Sequence, residues 1–302
     1  MKNILLIINP NAGTKKANKY LTDILVLFKE NGYDTRVCVT MGKNQVMPYV
    51  KHYGDESDMI VCIGGDGTFN ETVEAVISTG CDKPIGYIPA GSTNDFANGL
   101  NLSKRIMDAA RDIMTGTPVA IDIGKFNNRY FSYIASCGLF TKVSYNTPQS
   151  VKNTYGHLAY VIEGLKDLAN IKSVHLRIEA DGKVFEDDYI FAAICNSTSV
   201  GGILTIKPDV VDLTDGMMEI LLIKTPKNII DLNNIVVALN AQDYSTELIT
   251  FCSANNAVIY TDAFDNWTLD GEFMAGCEKI SMECLNKAVK FIVPKRNGII
   301  EI

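Results

Sequence analysis

The chain has 302 residues, 47% of them hydrophobic and 21% charged, with a formal net charge of −7. That length can bury a substantial core in one or two domains, and the composition is that of an ordinary globular protein. The acidic balance argues against a nucleic-acid partner, which needs a basic footprint, and against simple electrostatic adsorption to an anionic membrane.

Residues 4–8 form an apolar run that predicts a strand, ending in Asn9-Pro10-Asn11-Ala12-Gly13-Thr14. Tyr20, Ile24, Leu27 and Phe28 then recur at helical spacing. Residues 34–40 read as a second strand followed by a short helical stretch, residues 59–63 as a third, and residues 84–88 as a fourth. Buried strands that alternate with helices indicate a parallel sheet covered on both faces, a Rossmann-like α/β arrangement. Ligands of such sheets bind beyond the carboxyl ends of the strands. Asn9, Thr40, residues 64–70 and residues 89–95 all fall there.

From about Asp122 the pattern changes. Residues 175–178 alternate, Asp181-Gly182 signals a hairpin, and residues 189–195 form an apolar run. Residues 218–223, 257–260, 280–284 and 289–293 add strands, with Asn286-Lys287 expected to turn the last pair. This predicts a mostly antiparallel β domain. One helical stretch interrupts it, over residues 155–169, where Leu158, Val161, Ile162, Leu165 and Leu168 share a face.

The eight cysteines form no Cys-x-x-Cys pair and are expected to be reduced, mostly buried thiols. His52, His157 and His175 show no metal-ligand spacing. The apolar N-terminus is too short for a signal sequence and no apolar run reaches the length of a membrane span. A cytoplasmic protein is expected, with any membrane association transient.

The most informative segment is Gly64-Gly65-Asp66-Gly67-Thr68-Phe69-Asn70-Glu71, which joins a strand to a helix. Glycine allows close approach of the backbone to a ligand, and N–H groups at a helix start attract phosphate. An aspartate in such a cradle would repel bare phosphate, which points to an accompanying divalent cation. The segment lacks both the Gly-Lys-Ser/Thr ending of a P-loop and the third glycine of the dinucleotide fingerprint. It reads as a nucleoside triphosphate site, against the plainer alternative of a glycine-rich turn. Ser92, Thr93 and Asn94 of the loop Pro89-Ala90-Gly91-Ser92-Thr93-Asn94-Asp95 could equally cap the next helix.

The ordered set of motifs resembles the diacylglycerol kinase catalytic-domain family, and in particular its soluble bacterial lipid kinases. The residues that carry it are Asn9-Pro10 with Ala12-Gly13, then Gly64-Gly65-Asp66-Gly67-Thr68, then Pro89 with Gly91-Ser92 and Asn94-Asp95. Ala120-Ile121-Asp122, Gly201-Gly202 leading to Pro208-Asp209, Leu213-Thr214-Asp215-Gly216 and Leu269-Asp270-Gly271-Glu272 extend it over essentially the whole chain. The Gly-Gly-Asp-Gly-Thr element alone is shared with NAD kinases.

The resemblance implies an α/β nucleotide domain, residues 1–122 with 294–302, and a β-sandwich domain for the lipid substrate, residues 123–293. ATP would lie on Asn9, Pro10, Asn11, Ala12 and Gly13 and on Gly64, Gly65, Asp66, Gly67, Thr68, Asn70 and Glu71, with Thr40, Ser92 and Asn94 nearby. Asp270 matches the family's catalytic base and Glu272 its acidic neighbour. Asp66, Asp95 and Asp122 match residues that organise Mg²⁺ and water around the phosphates, with Asp66 as a metal residue. Asp212, Asp215 and Met217 match a structural Mg²⁺ site. The implied partner is a lipid at a membrane surface, diacylglycerol first among acceptors, and a homodimer is compatible with the resemblance. An NAD kinase-like enzyme and a non-catalytic nucleotide-binding regulator are the competing functions. Asn70-Glu71 directly after the glycine loop disfavours the first, and the presence of both Asp66 and Asp270 the second.

Overall fold

The computed structural model describes residues 1–15, 17–139, 172–200, 204–262 and 265–294. By contact the chain divides into two compact units, Met1–Asp122 with Lys287–Ile302, and Ile123–Asn286.

The first unit alternates β1 (Lys2–Ile8), α1 (Ala17–Glu30), β2 (Tyr33–Val39), α2 (Val46–Tyr53), β3 (Met59–Gly64), α3 (Asp66–Thr79), β4 (Ile85–Pro89), α4 (Asp95–Gly99) and α5 (Ile106–Thr115). β1 lies between β2 and β3, β4 adds beside β3, and every pair is parallel. Both faces of the sheet are covered. Ile4, Leu6, Val61 and Ile63 pack with Ile24 and Phe28 of α1 and Ile113 of α5, while Leu5, Ile7, Ile60 and Cys62 on the opposite face are equally buried. In a parallel sheet all carboxyl ends share one edge. The register sets Ile8 level with Val39 and Ile63, and Gly64 level with Pro89. The four loops named above therefore leave from neighbouring strand ends.

The second unit takes up the end of β5 (Thr117–Phe126), from Ile123 on, then β6 (Arg129–Phe131), β7 (Ile134–Gly138), β8 (Val174–Ala180), β9 (Lys183–Cys195), β10 (Ser199–Val200), β11 (Leu204–Thr205) and β12 (Met218–Lys224). α6 (Ile229–Ala241), β13 (Ile249–Ala254), β14 (Asn256–Tyr260), β15 (Trp267–Leu269), β16 (Glu272–Met274) and β17 (Lys279–Val293) follow. β9 pairs antiparallel with β7, β8 and β12. Asp181 and Gly182 take positive φ, 43° and 82°, in the tight β8–β9 turn. Leu176, Ile178, Ile194, Ile220, Leu222 and Trp267 fill the core of this β-sandwich. His175, Arg177 and Glu179 alternate outward.

Two points of the expected fold need correction. Residues 280–293 are not two strands joined at Asn286-Lys287. β17 runs on through Lys287, which takes φ 52° and donates its N–H to Asp122 Oδ1 at 2.6 Å. One left-handed residue does not reverse the strand, which continues to Val293. The strand then places Phe291 beside Ile85 of β4, in parallel, so the final segment of the first unit begins at 287. The second correction is α6, a helix within the β domain that the sequence reading passed over. The expected helix over residues 155–169, the Gly201-Gly202 motif and residues 295–302 of the expected return lie outside the described residues.

α6 carries its own start signal. Asn228 Oδ1 accepts the N–H groups of Ile230 and Asp231, each at 2.9 Å, which satisfies two of the donors a helix start leaves over. Asn228→Ala is expected to cost about 1 kcal/mol of helix stability. Faster amide hydrogen exchange at Ile230 and Asp231 would report it.

Six of the eight cysteines are buried, and burial pushes the Cys62 thiol up to about 12, leaving it unreactive. Among the described residues no helix is long and apolar enough to cross a membrane.

Candidate functional site

In the first unit three glycine loops meet backbone to backbone. A Cβ placed on Gly13, which sits at φ 50°, would lie 2.5 Å from the Ala90 carbonyl oxygen. One on Gly91 would lie 2.6 Å from the Gly65 Cα. No side chain fits between these loops, so main-chain groups line the place where they converge. Asn9 ties the first loop down. Its N–H donates to the Ile63 carbonyl at 2.9 Å, its Oδ1 accepts the Asn11 N–H at 3.0 Å, and its Nδ2 donates to Thr68 Oγ1 at 3.1 Å. Pro10 contributes a carbonyl that accepts from Asn18 at 3.0 Å, and Ala12 is buried beneath the turn. Gly65 stands as the N-cap of α3 and offers no side-chain cap. The positive end of α3 thus opens beside the same three glycines.

The carboxylates are distributed among different tasks. Asp66 Oδ1 accepts the Phe96 N–H at 3.3 Å, thirty residues along the chain, at the start of α4. Burial raises its carboxyl above the ordinary aspartate value, and backbone N–H groups of Asp95, Phe96 and Asn94 pull it back. Asp66 is therefore a clasp between two loops, whatever else it holds. Asp95 is buried at the start of α4. Asp122 is fully buried and bound to Lys287 N–H. Glu71 Oε1 accepts the Asn44 N–H at 3.2 Å and draws the loop after β2 toward α3. Thr40 is buried at the end of β2, with its N–H on the Ile8 carbonyl at 2.9 Å. Asn70 is buried on α3, Ser92 is exposed, and Asn94 folds back on Gly91 through 2.8 and 3.0 Å bonds.

In the second unit Asp270 and Gly271, at φ 48° and 80°, form the two-residue turn between β15 and β16. The Asp-Gly pair is a hairpin turn and something more. Asp270 is 4% exposed, and three backbone N–H groups converge on its carboxylate: Ser132 at 2.6 Å, Tyr133 at 3.1 Å and Ile134 at 3.0 Å. An ionised carboxylate, which only accepts, satisfies that arrangement. Glu272 faces the Arg129 guanidinium at 3.6 Å. Sequence reasoning could not find Ser132, Tyr133 and Ile134, because a backbone donor leaves no mark in the residue type. It also passed over Tyr87, whose hydroxyl reaches two of the glycine loops.

The residues fit a nucleotide. A cradle that a Cβ would fill, open at a helix N-terminus, matches the close backbone contact phosphate requires. For a metal, no group of three or more His, Cys, Asp or Glu is arranged to hold an ion among the described residues. Asp212 Oδ1 accepts the Thr214 N–H and Asp215 Oδ1 the Met217 N–H, each at 2.9 Å. Their second oxygens and the loop carbonyls are the donors a hard cation could use there.

Residues 3–126 match the family model of the diacylglycerol kinase catalytic domain. Residues 134–293 match that of the YegS C-terminal NAD kinase β-sandwich-like domain. The chain is 31% identical over 275 residues to the diacylglycerol kinase of Bacillus subtilis (strain 168), covering 90% of both chains. It is 32% identical over 276 residues to that of Staphylococcus aureus (strain MRSA252), covering 90% of this chain and 86% of the relative. A crystal structure of a diacylglycerol kinase from Bacillus anthracis str. Sterne superposes with a TM-score of 0.76 at 21% identity, over 97% of each chain. That likeness speaks to the fold. Sequence, domain composition and fold agree, and the chain belongs to the diacylglycerol kinase family, phosphotransferases that act on a lipid alcohol.

Proposed function

We propose that this protein transfers the γ-phosphoryl group of ATP, with Mg²⁺, to the free hydroxyl of diacylglycerol, giving phosphatidic acid. The observation that carries the reading is the pairing, in one chain, of a main-chain phosphate cradle with a buried carboxylate oriented by three N–H groups. The relatives named diacylglycerol kinase support the choice of acceptor.

Phosphoryl transfer asks a protein for position and charge neutralisation more than covalent chemistry. The N–H groups around Gly13, Gly65 and Gly91, with the α3 N-terminus, hold the phosphate chain. Asp66 and Glu71 keep the loops that carry those groups in place. Asp270 receives the proton of the lipid hydroxyl as the new P–O bond forms. Its three N–H bonds fix the direction of its carboxylate, so the hydroxyl is oriented before it reacts. Mg²⁺, when bound, would supply positive charge against the charge that develops on the phosphates. Asp66 and Asp95 lie on the loops nearest that role, and Asp212, Asp215 and Met217 supply a separate structural site. The enzyme works from the cytoplasm on lipid at a membrane surface.

The test is incubation with Mg²⁺, labelled ATP and a panel of diacylglycerol, monoacylglycerol and a sphingoid base, beside NAD. Label is expected in phosphatidic acid. Label in the NAD fraction alone would sink the reading.

A further inference from the structure

We propose that the Tyr87 hydroxyl is a positioning group for the nucleotide, bridging the loop after β3 and the loop after β4 so that both present their N–H groups in one fixed arrangement.

Tyr87 lies on β4, is 2% exposed, and donates toward the Gly64 carbonyl at 3.2 Å and Asn94 Oδ1 at 3.4 Å. Gly64 O also accepts the Ala90 N–H at 2.7 Å, so its two lone pairs face Ala90 and Tyr87. A trans peptide is planar, with C=O and N–H pointing in opposite directions. Pinning the Gly64 carbonyl therefore fixes the direction of the Gly65 N–H, the first donor at the α3 start. At its other contact Tyr87 meets Asn94, which sits at φ 53° and holds Gly91 through both side-chain atoms. A single O–H thus touches the two loops whose glycines press together at Gly65 and Gly91.

The surroundings keep the group where it is. Phe69 stacks on Phe96 at 4.2 Å and lies 4.6 Å from the Tyr87 ring, and Phe291 meets Phe96 edge-on at 5.3 Å. Phe69 belongs to α3 and Phe96 to α4, so this aromatic stack underlies the same two loops. Burial, reinforced by the Asp66 carboxylate, pushes the phenol well above its ordinary value, so it stays a neutral donor.

The inference rests on the glycine loops being the ATP site but not on the identity of the lipid. Its test is Tyr87→Phe, which keeps the ring and removes the O–H. Calorimetric titration with Mg–ATP in the absence of lipid is expected to give a Kd raised about tenfold, the scale of one hydrogen bond. The KM for lipid and the thermal midpoint should stay close to wild type, a split that a merely structural hydroxyl would not produce. An unchanged Kd for ATP overturns the proposal. So does a parallel loss of ATP affinity, lipid affinity and thermal midpoint. If the wild-type protein binds Mg–ATP yet phosphorylates no lipid, the acceptor assignment falls, and the Kd ratio alone still decides the role of Tyr87. If the wild-type protein binds no Mg–ATP, both readings fall.

Discussion

Asp270→Asn is expected to lower the rate of lipid phosphorylation at least about a hundredfold, the lower range for loss of a positioned general base. The substitution keeps Oδ1 to accept the Tyr133 and Ile134 N–H groups, so most of the turn survives. At Oδ2 it sets an NH₂ against the Ser132 N–H, which now bonds at 2.6 Å. That donor–donor clash costs about 1–3 kcal/mol of stability. Asp270→Ala is the less informative change. It strands three buried N–H groups at about 1–3 kcal/mol each, so lost activity would be confounded with lost fold. Single-turnover rates with labelled ATP and diacylglycerol in mixed micelles, measured beside a thermal melt, separate the two effects. A folded Asp270→Asn enzyme with near-normal turnover would remove Asp270 from the chemistry and leave it as the anchor of the β15–β16 turn.

The same residue shows how far the sequence could be read. Asp270-Gly271 signals a hairpin from residue type alone, and the turn is there. Its second role depends on three N–H groups from residues well over a hundred positions away, which no side chain announces. The parallel sheet was legible because β1, β3 and β4 are unbroken apolar runs buried on both faces. β17 was not, because Asn286-Lys287 has the residue types of a turn, while the strand runs on through it with one positive φ and the Lys287 N–H held by the Asp122 carboxylate. α6 was legible in principle. Asn228 stands ahead of Leu232, Ile235, Ala238 and Leu239, a capped helix with one buried stripe. Asp66 was read as an anchor for metal because an acid beside phosphate needs one. The structure adds a partner the sequence could not show, the start of α4, so this carboxylate holds two loops together.

Gly91→Ala is the second large effect expected, a loss of Mg–ATP affinity of one to two orders of magnitude, about 1.4–2.8 kcal/mol. The added methyl would stand 2.6 Å from the Gly65 Cα and 2.8 Å from Asn94 Oδ1. Neither the main chain nor an amide already bound to Gly91 can give way cheaply, so the two loops must separate. Their N–H groups then no longer converge, although every one of them is still present. Gly13→Ala adds left-handed strain of about 1–2 kcal/mol to the same crowding, since its φ is 50° and its Cβ would meet the Ala90 carbonyl. Gly32→Ala separates the two causes. Gly32 has φ 84° but nothing within 4 Å of an added Cβ. It should lose stability from strain alone and bind ATP as the wild type does. Equal ATP affinity in Gly91→Ala and Gly32→Ala would mean that the contact of these loops does not hold the phosphates. A selective loss in Gly91→Ala would tie nucleotide binding to the absence of side chains where the two loops meet.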